Sequence, residues 1–291
     1  MSRIHATPQI THLDTVDSVL TVLASQVAEQ DSPTPLTTLT ARHQEHGRGR
    51  AGRTWSDDGS RSLLMATLVR VRDEDLEWVT LVAGIAMART LRHLGHNVTL
   101  KWPNDLILDG GKVGGILCEH LRVEDSQVSR THWVAIGLGL NLGPIPADAG
   151  PQATTLGLIH ENEGGATSAP TTPDPETTFL ALRDEILSAF LTHLGTLIDE
   201  GTREEWHHEC ITLLAHLGHT STVHLPDGTI RDVTPLGLSP HGALLCRADE
   251  ELISIEVGDI HLPTSHTLPG DPAASSTPAP PTPNTPQGES R

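Results

Sequence analysis

Lysine is almost absent from this chain of 291 residues, and acidic residues outnumber basic ones. The chain has 19 Lys and Arg residues against 37 Asp and Glu residues, which gives a formal net charge of −18. This charge argues against general nucleic-acid binding, because neutralising phosphates requires a basic surface. Only Lys101 and Lys112 are lysines, and the other 17 basic residues are arginines. We therefore expect lysine to have a specific role at these two positions.

Aromatic residues, cysteine and long apolar runs are also scarce. Two Phe, five Trp and no Tyr leave the core to aliphatic side chains. The three cysteines (Cys118, Cys210 and Cys246) are odd in number and lack the close spacing of a metal site, which favours free thiols in a reducing compartment. The N-terminus has no basic segment followed by an apolar one, and no run approaches the ~18 apolar residues of a membrane helix. The sequence thus predicts a cytoplasmic protein without a membrane partner.

Two polar stretches divide the chain into predicted domains. Residues 264–291 are rich in Pro, Ser and Thr and cannot bury enough apolar surface to offset their ordering entropy, so they are predicted to be a disordered tail. Residues 160–178 have a similar composition and are predicted to form a loop within a larger domain, 1–217. A small domain, 218–263, contains short strand-like runs broken by turn residues.

The apolar periodicity of the larger domain alternates between that of helices and that of strands. Helices are predicted at 16–27, 75–94, 179–199 and 203–217, with Asp75 as a cap and Gly95 after the helix end. Strands are predicted at 36–40, 62–69, 98–102, 112–119 and 133–142, and Asp-Gly-Gly at 109–111 signals a hairpin. This pattern predicts an α+β fold, a mixed β-sheet with helices, followed by a small all-β module.

Residues 44–55, QEHGRGRAGRTW, form the first chemical motif. No acidic residue lies between His46 and Trp55. The segment contains three arginines and three glycines: Arg48, Arg50, Arg53, Gly47, Gly49 and Gly52. Glycines allow positive φ and close backbone approach, and arginines bind phosphate or carboxylate oxygens. An anionic ligand is therefore indicated, and Trp55 offers a flat face for a base or an apolar wall. The alternative is a solvated Gly/Arg loop, since the spacing matches neither the Walker nor the dinucleotide-binding pattern.

Residues 101–119, KWPNDLILDGGKVGGILCE, form the second motif and contain both lysines. Asn104 and Asp105 follow Pro103 on a predicted bend, and Lys112 begins the return strand. All three polar side chains can therefore point to one edge of the hairpin. Gly114 and Gly115 lie within an otherwise aliphatic strand and permit close approach of a ligand or of another backbone. The alternative is that both lysines are surface charges.

These motifs, in this order, resemble those of the biotin protein ligases. The matching segments are GRGR-x-GR-x-W at 47–55, KWPNDL at 101–106, K-x-x-GIL-x-E at 112–119 and IG-x-G-x-N at 136–141. The resemblance implies a class II synthetase-like catalytic domain followed by a small SH3-like β-barrel. Because the catalytic match begins within about 15 residues of the N-terminus, it leaves no room for the helix-turn-helix of some members, so no DNA partner is expected.

The resemblance implies a ligase that works in two steps. The biotin carboxylate first attacks the α-phosphate of ATP, which gives biotinyl-5′-adenylate and pyrophosphate. A lysine of a biotin carboxyl carrier protein or domain then attacks the mixed anhydride. Mg²⁺ is expected to arrive on the ATP phosphates, with no protein ligands assigned. The partners expected are the carrier, biotin and ATP, and the enzyme is expected to be a monomer or weak homodimer.

The resemblance also assigns roles by motif position. The biotin-contacting residues implied are Ser18, Val19, Leu20, Gln44, Arg48, Gly49, Arg50, Lys112, Gly115, Gly137 and Gly139. Those implied for ATP or the adenylate are Arg48, Arg50, Arg53, Trp55, Lys101, Asn104, Lys112 and Asn141. Lys112, Arg48 and Arg50 are the implied catalytic residues, together with Asp105 as a proton acceptor for the incoming lysine.

One segment departs from the family pattern. Members usually carry Ser-Thr-Asn before the first helix, contacting the ureido ring of biotin, whereas this chain has Ser18, Val19 and Leu20. Val19 and Leu20 cannot hydrogen-bond through their side chains, which leaves weaker biotin binding open. Two alternatives follow: a related lipoate or octanoate protein ligase, and a non-catalytic protein that binds biotin or nucleotide.

Overall fold

The computed structural model describes residues 7–57, 61–126, 129–145, 149–158 and 175–261. The predicted tail, 264–291, lies outside the described residues, as does most of the predicted loop, 160–178. Among the helices described, none combines the length and hydropathy needed to span a membrane.

The part of the chain described contains seven strands and four α-helices up to Leu213. The strands are β1 (Gln9–Val16), β2 (Thr37–Gln44), β3 (Ser62–Arg72), β4 (Thr99–Lys101), β5 (Asp105–Leu108), β6 (Gly111–Asp125) and β7 (Arg130–Asn141). The helices are α1 (Val19–Ala28), α2 (Val79–His93), α3 (Pro175–Glu200) and α4 (Arg203–Leu213). The strands form one sheet in the order β1-β2-β3-β7-β6-β5-β4, in which only β1 and β2 pair in parallel.

Helices cover both faces of this sheet. Alternate residues of a strand point to opposite faces, and β3 shows the consequence. Leu63 and Met65 belong to the large core that includes α2 and α3, whereas Ala66 and Leu68 pack in a second core with α1. The predicted α+β class and mixed sheet are therefore confirmed.

The first helix begins later than its periodicity predicts. Residues up to Val16 belong to β1, and α1 starts at Val19 after Ser18, whose backbone is extended. The sequence did not reveal β1 because this edge strand is largely exposed and has no apolar alternation. The result places Ser18 at the junction between a sheet edge and a helix N-terminus.

The helix predicted at 75–94 also begins later. A 3₁₀ turn occupies Asp73–Trp78, and α2 starts at Val79. Asp75 is not a cap, because its carboxylate accepts a hydrogen bond from Arg72 Nε at 2.6 Å. Gly95, with φ of +90°, follows the helix end as predicted.

Helix α3 begins four residues before its predicted start, at Pro175. Its first turn contains only Pro, Glu and Thr, so it gives no apolar periodicity. The predicted hairpin at 109–111 is confirmed, with φ of 50° at Asp109 and 78° at Gly110. Its first strand is β5, however, and the predicted strand at 98–102 is the separate, shorter β4.

Five further strands form an antiparallel sheet where the small all-β module is predicted. They are β8 (Ser221–His224), β9 (Ile230–Leu238), β10 (Leu244–Ala248), β11 (Glu251–Ile255) and β12 (Asp259–His261), in the order β11-β10-β9-β8-β12. No closed barrel is formed by pairing among the described strands. Two tryptophans are among the residues that join the module to the rest of the chain: Trp78 Nε1 donates to Pro240 O at 3.0 Å, and Trp102 Nε1 donates to Gly242 O at 3.1 Å.

Candidate active site

Residues 47–55 fold into a small hairpin, which we call the arginine loop. Gly49 N donates to Arg53 O at 2.7 Å, and Trp55 N donates to Gly47 O at 2.9 Å. A 3₁₀ turn at Arg50–Gly52 closes the hairpin. The loop is therefore held by its own backbone hydrogen bonds, and it presents arginines toward a cavity between α1 and strands β6 and β7.

The loop glycines serve different purposes. Only Gly52 has a positive φ, +73°, and Ala51 also adopts a left-handed conformation, with φ of 53°. Gly49 has φ of −118°. Gly47 is required sterically, because a Cβ there would lie 2.4 Å from the carbonyl oxygen of Trp55. The positive φ that glycine allows is therefore used at Gly52 and not at Gly47 or Gly49, whereas Gly47 provides the close backbone approach.

Glycines of two neighbouring strands form the floor of the cavity. Gly115 of β6 is directly opposite Gly139 of β7, and the Trp55 ring lies on this pair. A Cβ at Gly139 would be 2.4 Å from Trp55 Cε2, and one at Gly115 would be 3.2 Å from Trp55 Cζ3. The two glycines therefore make room for a flat aromatic wall. Trp55 Nε1 is buried and has no hydrogen-bond partner among the described residues, so it is a free donor inside the site.

The two lysines of the chain meet at one carboxylate. Lys101 Nζ is 2.9 Å from Asp105 Oδ2, and Lys112 Nζ is 2.6 Å from Asp105 Oδ1. Asp105 faces Lys101 across the β4–β5 pair and Gly115 across the β5–β6 pair. Burial raises the pKa of Asp105, but the charges of Lys112 and Lys101 outweigh it, so the pKa lies below its usual value. The carboxylate is ionised at neutral pH and fixes both ammonium groups.

Lys112 is also held through its backbone. Its N–H donates to Gln152 O at 2.6 Å, and its carbonyl accepts from Thr154 N at 2.8 Å. Thr154 O in turn accepts a hydrogen bond from Asn141 Nδ2 at 2.9 Å. Asn141 therefore supports the segment that pins Lys112.

The other end of the cavity is formed by the start of α1. Gln44 Oε1 accepts a hydrogen bond from Val19 N at 2.9 Å, so this acceptor is already engaged. Leu20 lies directly on Gly137, where a Cβ would be 2.5 Å from Leu20 Cδ1. Ser18 is buried, and its hydroxyl makes no capping hydrogen bond to the helix. This end consequently combines an apolar surface with one available hydroxyl.

Two of the loop arginines, Arg48 and Arg50, contact different residues near β6. Arg48 Nη2 is 2.5 Å from Glu119 Oε1 of β6. Arg50 Nη1 donates to Asn104 Oδ1 at 3.1 Å, while Asn104 Nδ2 donates to Ile116 O at 2.9 Å. Asn104 thus links the loop to β6.

Most of the residues assigned from the sequence line this single cavity. They are Ser18, Val19, Leu20, Gln44, Arg48, Gly49, Arg50, Arg53, Trp55, Asn104, Lys112, Gly115, Gly137 and Gly139. Lys101 and Asp105 do not line the cavity. Asp105 binds the ammonium groups of both Lys101 and Lys112. Asn141, which was assigned to ATP, does not line the cavity, since its amide is bound to Thr154 O. Trp55, which was assigned to the adenosine, lies on the Gly115 and Gly139 floor.

Several lining residues were missed by the sequence reasoning: Thr54, Met65, Ile116, Leu117 and Leu138. Ile116, Leu117 and Leu138 of β6 and β7 lie within two residues of the floor glycines. The alternation of side chains along a strand therefore gives a sequence signal for such neighbours of Gly115, Gly137 and Gly139. The contact between the arginine loop and Asp259 was also missed. It joins residues more than 200 positions apart, and no local pattern signals it.

The described residues offer no protein-held metal site. They contain no group of three His, Cys, Asp or Glu side chains suited to a metal ion, and the three cysteines are free thiols. The acids around the cavity, Asp105, Glu119 and Asp259, are each bound to basic side chains. A Mg²⁺ ion at this site would therefore depend on phosphate oxygens for its ligands.

Comparison with known proteins places the chain in a family. A family model described as the biotin/lipoate A/B protein ligase family matches residues 14–141. The biotin--[acetyl-CoA-carboxylase] ligase of Mycobacterium tuberculosis is 35% identical over 125 residues, which cover 40% of this chain and 44% of the relative. The ligase of the same name from Paracoccus denitrificans is 32% identical over 180 residues, which cover 57% of this chain and 67% of the relative. The match thus spans less than half of the M. tuberculosis protein.

Solved structures agree on the fold. The biotin protein ligase from Aquifex aeolicus, in complex with biotin and ATP, aligns with a TM-score of 0.62 at 24% identity, over 87% of this chain and 98% of that one. The family model, the identity across two thirds of the Paracoccus ligase and the shared fold lead to one conclusion. The chain belongs to the biotin/lipoate A/B protein ligase family.

Proposed function

We propose that this protein is an ATP-dependent biotin ligase that forms biotinyl-5′-adenylate and transfers the biotinyl group to a lysine of a biotin carboxyl carrier protein or domain. The observation that carries the proposal is the convergence of Lys101 and Lys112 on Asp105 beside a glycine-floored cavity lined by the arginine loop. The names of the M. tuberculosis and Paracoccus relatives support biotin as the acid and a carboxylase as the target.

In the first step, a carboxylate oxygen attacks the α-phosphorus of ATP and pyrophosphate leaves. Two anions must approach each other, and negative charge accumulates on the phosphorus oxygens in the transition state. Fixed cations at that point lower the barrier because they need no reorganisation. Lys112 is suited to this role, because Asp105 and the backbone contacts of 152–154 hold its ammonium group in place. Arg48 and Arg50 supply further positive charge from the loop.

In the second step, the amine of the carrier lysine attacks the acyl carbon, AMP leaves and the amine loses a proton. Asp105 was assigned as the acceptor of that proton. Its lowered pKa makes it a weak base. We therefore propose that its main role is to position Lys112 and Lys101.

The adenylate formed between the two steps is a mixed anhydride that water hydrolyses. A cover that excludes water protects it until the carrier arrives. The arginine loop is suited to be this cover, because it lies over the cavity and is joined to the residues between β4 and β5 by the Arg50–Asn104 hydrogen bond. Mg²⁺ would enter with the nucleotide, bound to its phosphate oxygens.

A lipoate or octanoate ligase is the second candidate. The specific observation in its favour is the apolar end of the cavity, where Leu20 lies on Gly137 and the Gln44 acceptor is already used by Val19 N. An alkyl tail suits this surface, whereas a ureido ring finds only the Ser18 hydroxyl and the Gln44 amide there. If a ureido group is left without one hydrogen-bond partner, binding is weakened by about 1–3 kcal/mol.

Pyrophosphate release separates the candidates. Purified, folded protein is incubated with ATP and Mg²⁺ plus biotin, lipoate or octanoate, and with no acid as the control. The proposal expects release that depends on biotin and exceeds the release seen with the other acids. Release with lipoate or octanoate alone would replace it by the second candidate. No release with any of the acids, together with measurable biotin or ATP binding, would favour the non-catalytic alternative.

A further inference from the structure

The C-terminal sheet reaches into the candidate active site through one residue of its edge strand. Asp259 of β12 binds two arginines of the loop at once: Arg53 Nη2 is 3.1 Å from Oδ1 and 2.9 Å from Oδ2, and Arg50 Nη1 is 3.3 Å from Oδ1. Arg50 Nη1 also lies 3.4 Å from the carbonyl oxygen of Gly258. A single carboxylate therefore bridges the two guanidinium groups.

This contact is partly shielded from solvent. The side chains of Arg50 and Asp259 are 23% and 30% exposed, so their interaction is screened less than that of a fully exposed pair, whereas the side chain of Arg53 is 56% exposed. Without an anion between them, two neighbouring guanidinium groups repel each other. Asp259 thus holds the loop arginines together in the protein without nucleotide.

The surroundings of Asp259 include a lysine and two histidines in addition to the loop arginines. His261, two residues further along β12, lies near His224, Lys101 and Arg53. Burial, followed by the charges of His224 and Lys101, lowers the pKa of His261, while Asp259 acts in the opposite direction. A phosphate group placed between Arg50 and Arg53 would contact the same two guanidinium groups as Asp259 does, and its oxygens bind arginine in the way a carboxylate does.

We infer that the Asp259 carboxylate occupies the position that a phosphate group of the nucleotide takes between Arg50 and Arg53, so that the C-terminal sheet competes with polyphosphate for the arginine loop. The inference rests on the proposed function only in naming ATP as the source of the phosphates. Asp259 is then a determinant of nucleotide affinity. Its two guanidinium contacts must be given up when polyphosphate binds.

The test compares Asp259→Asn with Asp232→Asn. Asp232 lies in β9 of the same sheet and accepts a hydrogen bond from Thr222 Oγ1, so its variant controls for loss of a carboxylate in the module. Binding of inorganic tripolyphosphate, a probe that requires no catalysis, is measured by calorimetry. Asp259→Asn is expected to bind roughly fivefold to tenfold more tightly than the wild type, because the competing charge is gone. Asp232→Asn is expected to match the wild type.

Unchanged or weaker tripolyphosphate binding by a folded Asp259→Asn protein would overturn the inference. Hydrogen exchange on the wild type gives a second test that needs no variant. Added tripolyphosphate should protect amides of 47–55 and increase exchange at 259–261, whereas protection of both segments would contradict competition. Because neither readout uses biotin, a protein that lacks biotin-dependent pyrophosphate release can still pass both tests, which separates this inference from the proposed function.

Discussion

Lys112 Nζ lies 2.6 Å from Asp105 Oδ1, and the other oxygen of that carboxylate lies 2.9 Å from Lys101 Nζ. The only two lysines of the chain are therefore neighbours in space, joined by one buried acid. A single carboxylate leaves the cluster with a net positive charge. This arrangement explains how a strongly acidic protein can present fixed positive charge to an anionic ligand.

Asp105→Asn is expected to lower the free energy of unfolding by about 1–3 kcal/mol at pH 7, because two ammonium groups lose their shared counter-ion. The folded pKa of Asp105 lies below the unfolded one. The carboxylate thus contributes stability above the unfolded pKa of about 3.9, and this stability is lost as the pH falls through the folded pKa. Urea unfolding at pH 7 and at several values below pH 4 measures the effect. A difference between variant and wild type that does not shrink at low pH would contradict the charge argument.

Gly139→Ala is expected to displace the Trp55 ring, since the new Cβ would lie 2.4 Å from Trp55 Cε2. Tryptophan fluorescence and biotin binding should both change. Gly237→Ala is the matched control, because a Cβ at this strand glycine of β9 meets no described atom within 4 Å. If Gly139→Ala binds biotin as the wild type does and has the same fluorescence, Trp55 does not form the cavity wall.

Arg50→Ala is expected to release adenylate into solvent. The substitution removes the hydrogen bond to Asn104 Oδ1, which joins the loop to the residues between β4 and β5. The intermediate is then less well covered. Reaction mixtures are passed through a filter that retains protein, and free biotinyl-adenylate is measured in the filtrate. Arg231→Ala, which removes an exposed arginine of β9, should leave the filtrate unchanged. Equal amounts of free adenylate from Arg50→Ala and wild type would argue against a covering role.

His216 gives a stability prediction that is independent of the ligand. It is fully buried, neither ring nitrogen has a partner in the part of the chain described, and burial, with Lys101 and His219 as further causes, lowers its pKa to about 4. Below pH 6.5 the unfolded chain binds a proton that the folded protein excludes, so stability is lost as the pH falls from 6.5 toward 4. From these pKa values, the loss amounts to about 2 kcal/mol at pH 5.

Unfolding of wild type and His216→Leu at pH 8 and pH 5 tests this prediction. The stability of the variant relative to the wild type should increase by about 2 kcal/mol between these pH values. His208→Leu, which removes an exposed imidazole from α4, is the control for loss of a histidine. A constant difference between His216→Leu and wild type would mean that His216 gains a proton in the folded protein as readily as in the unfolded chain.

The sequence predicted the parts of the site that depend on local chemistry. These residues lie within a few short motifs: the arginines and glycines of 47–55, the two lysines, and the glycines of β6 and β7. Most of them line one cavity. Contacts between distant segments could not be found in this way. The bridge from Asp259 to the arginine loop and the support of Lys112 by Asn141 through Thr154 depend on how separate elements pack.

The fold shows the same division. Elements with a strong apolar period, such as α2 and β3, were recognised, whereas the exposed edge strand β1 was missed. The first turn of α3, residues 175–178, is polar and falls within the predicted loop at 160–178. The helix predicted at 75–94 includes the last four residues of the 3₁₀ turn Asp73–Trp78, because their composition is one that a helix start also tolerates.

The role of Lys112 is the central claim, and biotin-dependent pyrophosphate release tests it most directly. Lys112→Ala is compared with the wild type and with Arg247→Ala, which removes an exposed positive charge from β10, after cooperative unfolding above the assay temperature has shown that all three proteins are folded. Lys112→Ala is expected to release pyrophosphate about 100-fold to 1000-fold more slowly than the wild type, and Arg247→Ala is expected to behave as the wild type. A rate for Lys112→Ala within twofold of the wild-type rate would contradict the claim.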